Sequence, residues 1–178
     1  MDATGAIARF LADDHARLGA LFATAFATPG AVDRDAFDAF RAGLLRHIAL
    51  EEKILFPAAR EARGGEPLRE AARIRVDHGA IAALLVPPPT ASLAAELRII
   101  LDPHERLEEE PRGVYEQCES LLASRAAELV QRMRAYPAVK VAAYFEGPRV
   151  LRTAADALAL MRDRGAPPKA DDPDDGRS

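Results

Sequence analysis

The sequence predicts an all-α protein, an up-down four-helix bundle with extra helices at its C-terminal end, and three observations carry that expectation. Apolar residues make up 49 % of the 178-residue chain but aromatic residues only 6 %, and the abundance of alanine and leucine favours helix over sheet. The apolar residues recur at helical rather than alternating spacing, between clear glycine and proline breaks. Each of the four helices so delimited carries one of the chain's four histidines, His15, His47, His78 and His104.

The first helix is expected over about residues 4–27, because Ile7, Leu11, Leu18, Leu21 and Phe22 share one face and Thr28-Pro29-Gly30 stops it. Asp33 is the expected N-cap of the second. Phe37, Phe40, Leu44, Leu45, Ile48, Leu55 and Phe56 give that helix its apolar face, and Gly64-Gly65 ends it. The third spans about residues 67–86, with Leu68, Ala71, Ile74, Ile81, Leu84 and Leu85 inward, and Pro87-Pro88-Pro89 forbids continuation. The fourth covers about residues 91–136 with interruptions. Pro103 and Pro111 lie inside it, and each removes a backbone donor and clashes with the preceding turn, so a kink is expected, or a break in which Asp102 caps a new helix with Pro103 in its first turn.

After Pro137 the chain holds more than a four-helix bundle needs. A short apolar stretch at 139–145 and Gly147-Pro148 lead to a helix with Val150, Leu151, Ala154, Leu158 and Met161 on one face, to be buried on the bundle or at a dimer interface. The expected organisation is a bundle over 1–136, a helical extension over 137–165, and an acidic, proline-rich disordered tail over 166–178.

The formal charge of −4 offers no basic footprint for nucleic acid, and the arginines are interspersed with acids as on a solvated helix surface. A lone cysteine, Cys118, rules out an intramolecular disulfide framework and fits a reducing compartment. The N-terminal residues show neither a basic n-region nor an apolar h-region, and no segment is long and apolar enough to span a bilayer. A cytoplasmic, membrane-free monomer or homodimer is the expectation.

The chemistry lies in the histidines. His47 and His104 each carry a glutamate four residues later, Glu51 and Glu108, one turn along the same helix face. A lone helical histidine is usually a surface or satisfied core residue, and an accidental Glu at that offset occurs for roughly one histidine in twelve here, so two of four is a few-per-cent coincidence. Counted from the turn between the first two helices, His15 and His47 are level in antiparallel packing. Four imidazoles and two carboxylates make a six-ligand set for two transition-metal ions inside a bundle, and a carboxylate can span ions roughly 3.5–4 Å apart. A ferritin-type site would instead need a carboxylate three residues before a histidine, where Ala12, Leu44, Arg75 and Leu101 stand.

In Asp14-His15, His47-Ile-Ala-Leu-Glu-Glu-Lys-Ile-Leu-Phe-Pro57, Asp77-His78 and His104-Glu-Arg-Leu-Glu-Glu-Glu the chain resembles hemerythrin-like proteins, over roughly its first 120 residues. The resemblance implies a four-helix up-down bundle holding two non-haem, carboxylate-bridged iron ions. By position His15 and His47 would serve one iron, His78 and His104 the other, and Glu51 and Glu108 would bridge. Oxygen carriers of that family are similar but have a further histidine one turn after the third-helix ligand and an aspartate five residues after the fourth. Ala82 and Glu109 stand there in this chain. That departure points from a carrier toward a protein that reacts with or senses dioxygen, nitric oxide or peroxide, in stress response or iron handling. A di-iron oxidase or peroxidase, and an interaction module with a structural metal, are the alternatives, and helix faces alone do not decide whether the protein is an enzyme.

Neighbouring residues receive simpler readings. Glu52 and Glu109 lie about 100° round the helix from the ligand face and are expected as surface groups or supports rather than ligands. Asp14 and Asp77 precede their histidines by one position and are expected to be solvated or to cap, not to orient imidazoles. Tyr115 and Cys118, on the Glu108 stripe, are expected in core packing, with a redox role as the alternative.

Overall fold

The structure, a computed structural model, describes residues 5–165, so the tail expected to be disordered lies outside the described residues. Every regular element among the described residues is a helix. α1 spans Ala6–Ala25, α2 Arg34–Leu50, α3 Phe56–Ala62, α4 Ala71–Leu84, α5 Ala91–Glu109, α6 Val114–Leu122, α7 Ala126–Ala135 and α8 Ala154–Gly165.

Helix starts are fixed by caps, some local and some borrowed. Asp33 caps α2 as its sequence suggests, its carboxylate accepting from the Ala36 N–H at 3.0 Å. α1 has no side-chain cap of its own. Glu119 of α6 supplies one, accepting from the N–H groups of Ile7 at 2.8 Å and Ala8 at 3.3 Å and so setting a negative charge at the positive helix end. Glu96 of α5 does the same for α8 by accepting from the Ala154 N–H at 2.7 Å. Because Thr153 also accepts from the Asp156 N–H, α8 starts at Ala154, and Val150 and Leu151 precede the helix on which their spacing placed them.

The prolines act in different ways. α5 passes through Pro103 without a break, and Asp102 caps no new helix. The second expected helix is interrupted instead. Residues Glu51–Leu55 form a π turn in which the Phe56 N–H reaches back to the Glu51 carbonyl. Pro57 follows at once, and the wider turn relieves the crowding between its ring and the preceding turn of helix. Pro111 produces the true break in the fourth segment. Glu110 before it is extended, with φ −61° and ψ 157°, as a residue preceding proline prefers. Arg112 then takes a positive φ of 65°, and a side chain on Gly113 would come within 2.6 Å of the Glu110 carbonyl. This tight turn folds α6 back beside α5.

Two apolar clusters make up the core. One gathers Leu18, Phe22, Phe37, Phe40, Leu44, Ile81, Leu84, Leu97 and Ile100; the other Ile7, Leu11, Leu50, Leu55, Ile74, Tyr115, Leu129 and Met133. Along α1 and α4 the chain passes from the second cluster to the first, and along α2 the reverse. At each crossing stands a buried histidine, His15, His78 and His47 in turn. The sequence-predicted polar residues therefore occupy one buried layer between two apolar masses.

The segment 137–153 lashes the later helices down. Arg41 of α2 donates to the Ala142 carbonyl at 2.9 Å, Arg41 and Arg34 lie over the Tyr144 ring, Tyr144 donates to Asp38, and the Phe145 N–H bonds to the Val86 carbonyl. α8 then buries Ala154 and Ala157 against α4 and α5. Gly79 of α4 faces it, and a β-carbon there would lie 2.6 Å from Met161 Sδ. Since a methionine end can move and alanine gains about 1 kcal/mol of helix propensity over glycine, Gly79→Ala should leave stability nearly unchanged. Gly79→Leu should lift α8 from the bundle. Trypsin cleavage at Arg149 and Arg152 then rises for the leucine variant alone.

Candidate metal centre

α1 contributes His15, α2 His47, the π turn Glu51, α4 His78, and α5 both His104 and Glu108. All six are buried, Glu51 and Glu108 with 0 % of their surface exposed. Glu51 points Oε1 at His47 Nε2, 3.5 Å away, and Oε2 at His78 Nε2, 3.1 Å away. Glu108 points Oε2 at His15 Nε2, 3.6 Å away, and Oε1 at His104 Nε2, 3.3 Å away. Each carboxylate thus offers one oxygen to the His15–His47 pair and the other to the His78–His104 pair.

The donor atoms of Glu51, His78, His104 and Glu108 lie within 4.8 Å of one another, and so do those of His15, His47 and Glu108. Glu51 Oε2, His78 Nε2 and Glu108 Oε1 are buried with no hydrogen-bond partner, although they face one another. Such orphaned polar atoms are costly in an apolar interior unless a cation satisfies them. Imidazole nitrogen with carboxylate oxygen suits iron, zinc and copper alike, so this donor set fits the group that the sequence implies.

The far sides of the imidazoles show what sequence reasoning missed. His15 Nδ1 lies 2.6 Å from Glu109 Oε1, His47 Nδ1 2.9 Å from Asp14 Oδ2, His78 Nδ1 3.0 Å from Glu52 Oε1, and His104 Nδ1 3.6 Å from Asp77 Oδ2. Asp14 and Asp77 therefore do face imidazoles, contrary to the expectation that they would be solvated or cap. The error was to test each against its own neighbour. A residue one position from a ligand points about 100° away, which aims it at the histidine of the next helix. The arrangement is cyclic: α1 holds the imidazole of α2, the π turn that of α4 and α5 that of α1, while α4 faces that of α5 across 3.6 Å without a hydrogen bond. The signal was present as four doublets, Asp14-His15, Glu51-Glu52, Asp77-His78 and Glu108-Glu109.

Charge is strongly coupled across the layer. Burial disfavours an imidazolium at His47, but the carboxylates of Glu51 and Asp14 outweigh it and raise its pKa to about 9. Burial opposes ionisation of Asp14 too, yet His47 and Arg17 bring it down to about 2. Burial and then the charge of Glu51 push Glu108 well above the usual carboxylate range, whereas the imidazoles hold Glu51 well below it despite its burial. Two carboxylates this deep need positive charge between them.

Tyr115 belongs to the site as well as to the core. Its ring packs in the second apolar cluster, while its hydroxyl donates to Glu51 Oε1 at 2.6 Å and lies 3.1 Å from Glu108 Oε2, 3.2 Å from His47 Nε2 and 3.3 Å from His15 Nε2. Cys118 remains a packing residue. Burial, reinforced by the charges of Glu51 and Glu108, pushes its thiol up to about 12, so no reactive thiolate forms. A cavity of about 580 Å³ opens between α1, the end of α5 and α6, and both Glu108 and Tyr115 line it.

A helical bundle with a buried layer of four imidazoles and two spanning carboxylates defines a cation-binding protein of the His/Glu type. The hemerythrin HHE cation-binding domain matches residues 6–110, more than half of the chain, and the protein belongs to that family. No curated protein and no solved structure shows a significant match.

Proposed function

We propose that the protein is a non-haem di-iron protein that reacts with or senses dioxygen, nitric oxide or peroxide. The observation that carries this reading is the double span of Glu51 and Glu108, each with one oxygen toward each histidine pair. In this reading His15 and His47 would hold one ion, His78 and His104 the other, and Glu51 and Glu108 would serve both. Two irons would supply redox chemistry and exchangeable coordination positions. The chain's own residues do the rest: the outer carboxylates orient the imidazoles, the apolar clusters exclude bulk water, and the cavity beside Glu108 admits a small molecule.

A cytoplasmic setting is consistent with the single buried, protonated thiol. No helix among the described residues is long and apolar enough to cross a membrane. Reconstitution with ferrous iron under anaerobic conditions, followed by elemental analysis, should give two irons per chain, with a Mössbauer spectrum after oxidation of an antiferromagnetically coupled ferric pair. One iron per chain, or isolated high-spin signals, would replace this reading with a structural metal.

A further inference from the structure

We propose that Tyr115 is itself a ligand, its Oη completing the coordination of the ion held by His15 and His47; the proposal rests on the di-iron reading above. Tyr115 lies beyond the residues that the family shares, so nothing in that match assigns it a role. Its Oη meets four polar atoms at once, two carboxylate oxygens and two imidazole nitrogens, all within 3.3 Å.

A hydroxyl has one proton to give. With a cation bound at each Nε2, His15 and His47 would be neutral rings whose Nδ1–H groups face the outer carboxylates of Glu109 and Asp14, and both Nε2 atoms are directed to the same point as Oη. Two imidazole nitrogens and two carboxylate oxygens therefore surround a single O–H. The same four with a phenolate oxygen make a good ligand shell for a cation, of mixed nitrogen and oxygen donors.

When a ferric ion is bound there, the phenol O–H bond breaks as an oxygen–iron bond forms, and the proton leaves to water through the cavity that Tyr115 lines. No electron moves in that step. The two halves of the site then become unequal. The His15–His47 half gains a protein oxygen that the His78–His104 half lacks, so an exchangeable ligand would find its open position on the ion of the second half.

The test uses the full chain, loaded anaerobically with ferrous iron and oxidised with ferricyanide, each ferrous ion passing one electron to one ferricyanide that is then removed by desalting. The wild type should show a broad visible charge-transfer band whose excitation enhances phenolate ring modes in the resonance Raman spectrum. Tyr115→Phe should hold the same iron while losing both band and modes. A wild type with two irons and no tyrosinate signature would overturn the ligand role and leave the di-iron reading intact; a wild type without iron would overturn both. Because the wild-type Raman spectrum decides the matter alone, the result stands even if the phenylalanine variant loses iron or folds poorly. Persistence of the modes in that variant would assign them to another tyrosine and likewise overturn the proposal.

Discussion

Alanine at Glu51 or at Glu108 should reduce the protein from two irons per chain to one or none. Each carboxylate reaches from one histidine pair to the other through its own two oxygens, so in the di-iron reading its loss would remove a ligand from both ions together. It also leaves two buried cations opposed by half the charge. Glu51→Gln and Glu108→Gln keep the volume and separate the charge from the packing. Iron content, with circular dichroism to verify the fold, reads the effect. Two tightly held irons in either glutamine variant would show that the carboxylates do not bridge. For the metal-free protein the consequence differs between the two positions: Glu51 raises the pKa of His47 and of His78 against burial, whereas Glu108 is itself pushed above the usual carboxylate range by burial and by Glu51.

Periodicity made the helices legible because each helix has one apolar face against a common core, and glycine and proline mark where the faces end. Where an element is shaped by something other than its own face, the sequence was a poorer guide. The π turn at Glu51–Leu55 depends on how one proline fits into a helix that is otherwise regular, and Pro103, which satisfies the same local rule, leaves α5 unbroken. α8 begins at Ala154 rather than near Val150 because Thr153 caps it locally, accepting from the Asp156 N–H, and a second cap comes from Glu96, 58 residues away in the chain. Caps of that kind have no local signature.

The site divides along the same line. His15, His47, Glu51, His78, His104 and Glu108 could be named from spacing because two of the helices declare their inward face through a histidine and glutamate one turn apart. Tyr115 could not, since its position depends on the reversal at Glu110 to Gly113, where a proline, a left-handed arginine and a glycine without room for a side chain turn α6 back toward Glu108. The outer carboxylates were hidden for a different reason. Their partners sit on other helices, so no spacing within one helix reveals them.

That ring of outer carboxylates carries the remaining prediction. Asp14→Ala, Glu52→Ala and Glu109→Ala should each keep two irons at saturating metal but weaken iron binding roughly 10- to 100-fold, the range found when a carboxylate supporting a metal-bound histidine is removed. The supporting oxygen fixes the tautomer that presents a lone pair at Nε2 and stops the ring from turning away, and neither task contributes a donor atom to the ion. Asp77→Ala should do less, because its oxygen stands 3.6 Å from His104 Nδ1, beyond hydrogen-bond range, and burial already lowers the pKa of that imidazole. Asp14→Asn is the sharper variant at the His47 link. The amide keeps size and can still accept through its oxygen, yet it carries no charge to raise His47, so it should lose less affinity than alanine. Competition with a ferrous chelator measures all five variants on one scale. If Asp14, Glu52 and Glu109 lose no more than Asp77, the four contacts are only neighbours; if they lose the irons outright, these residues are ligands rather than supports.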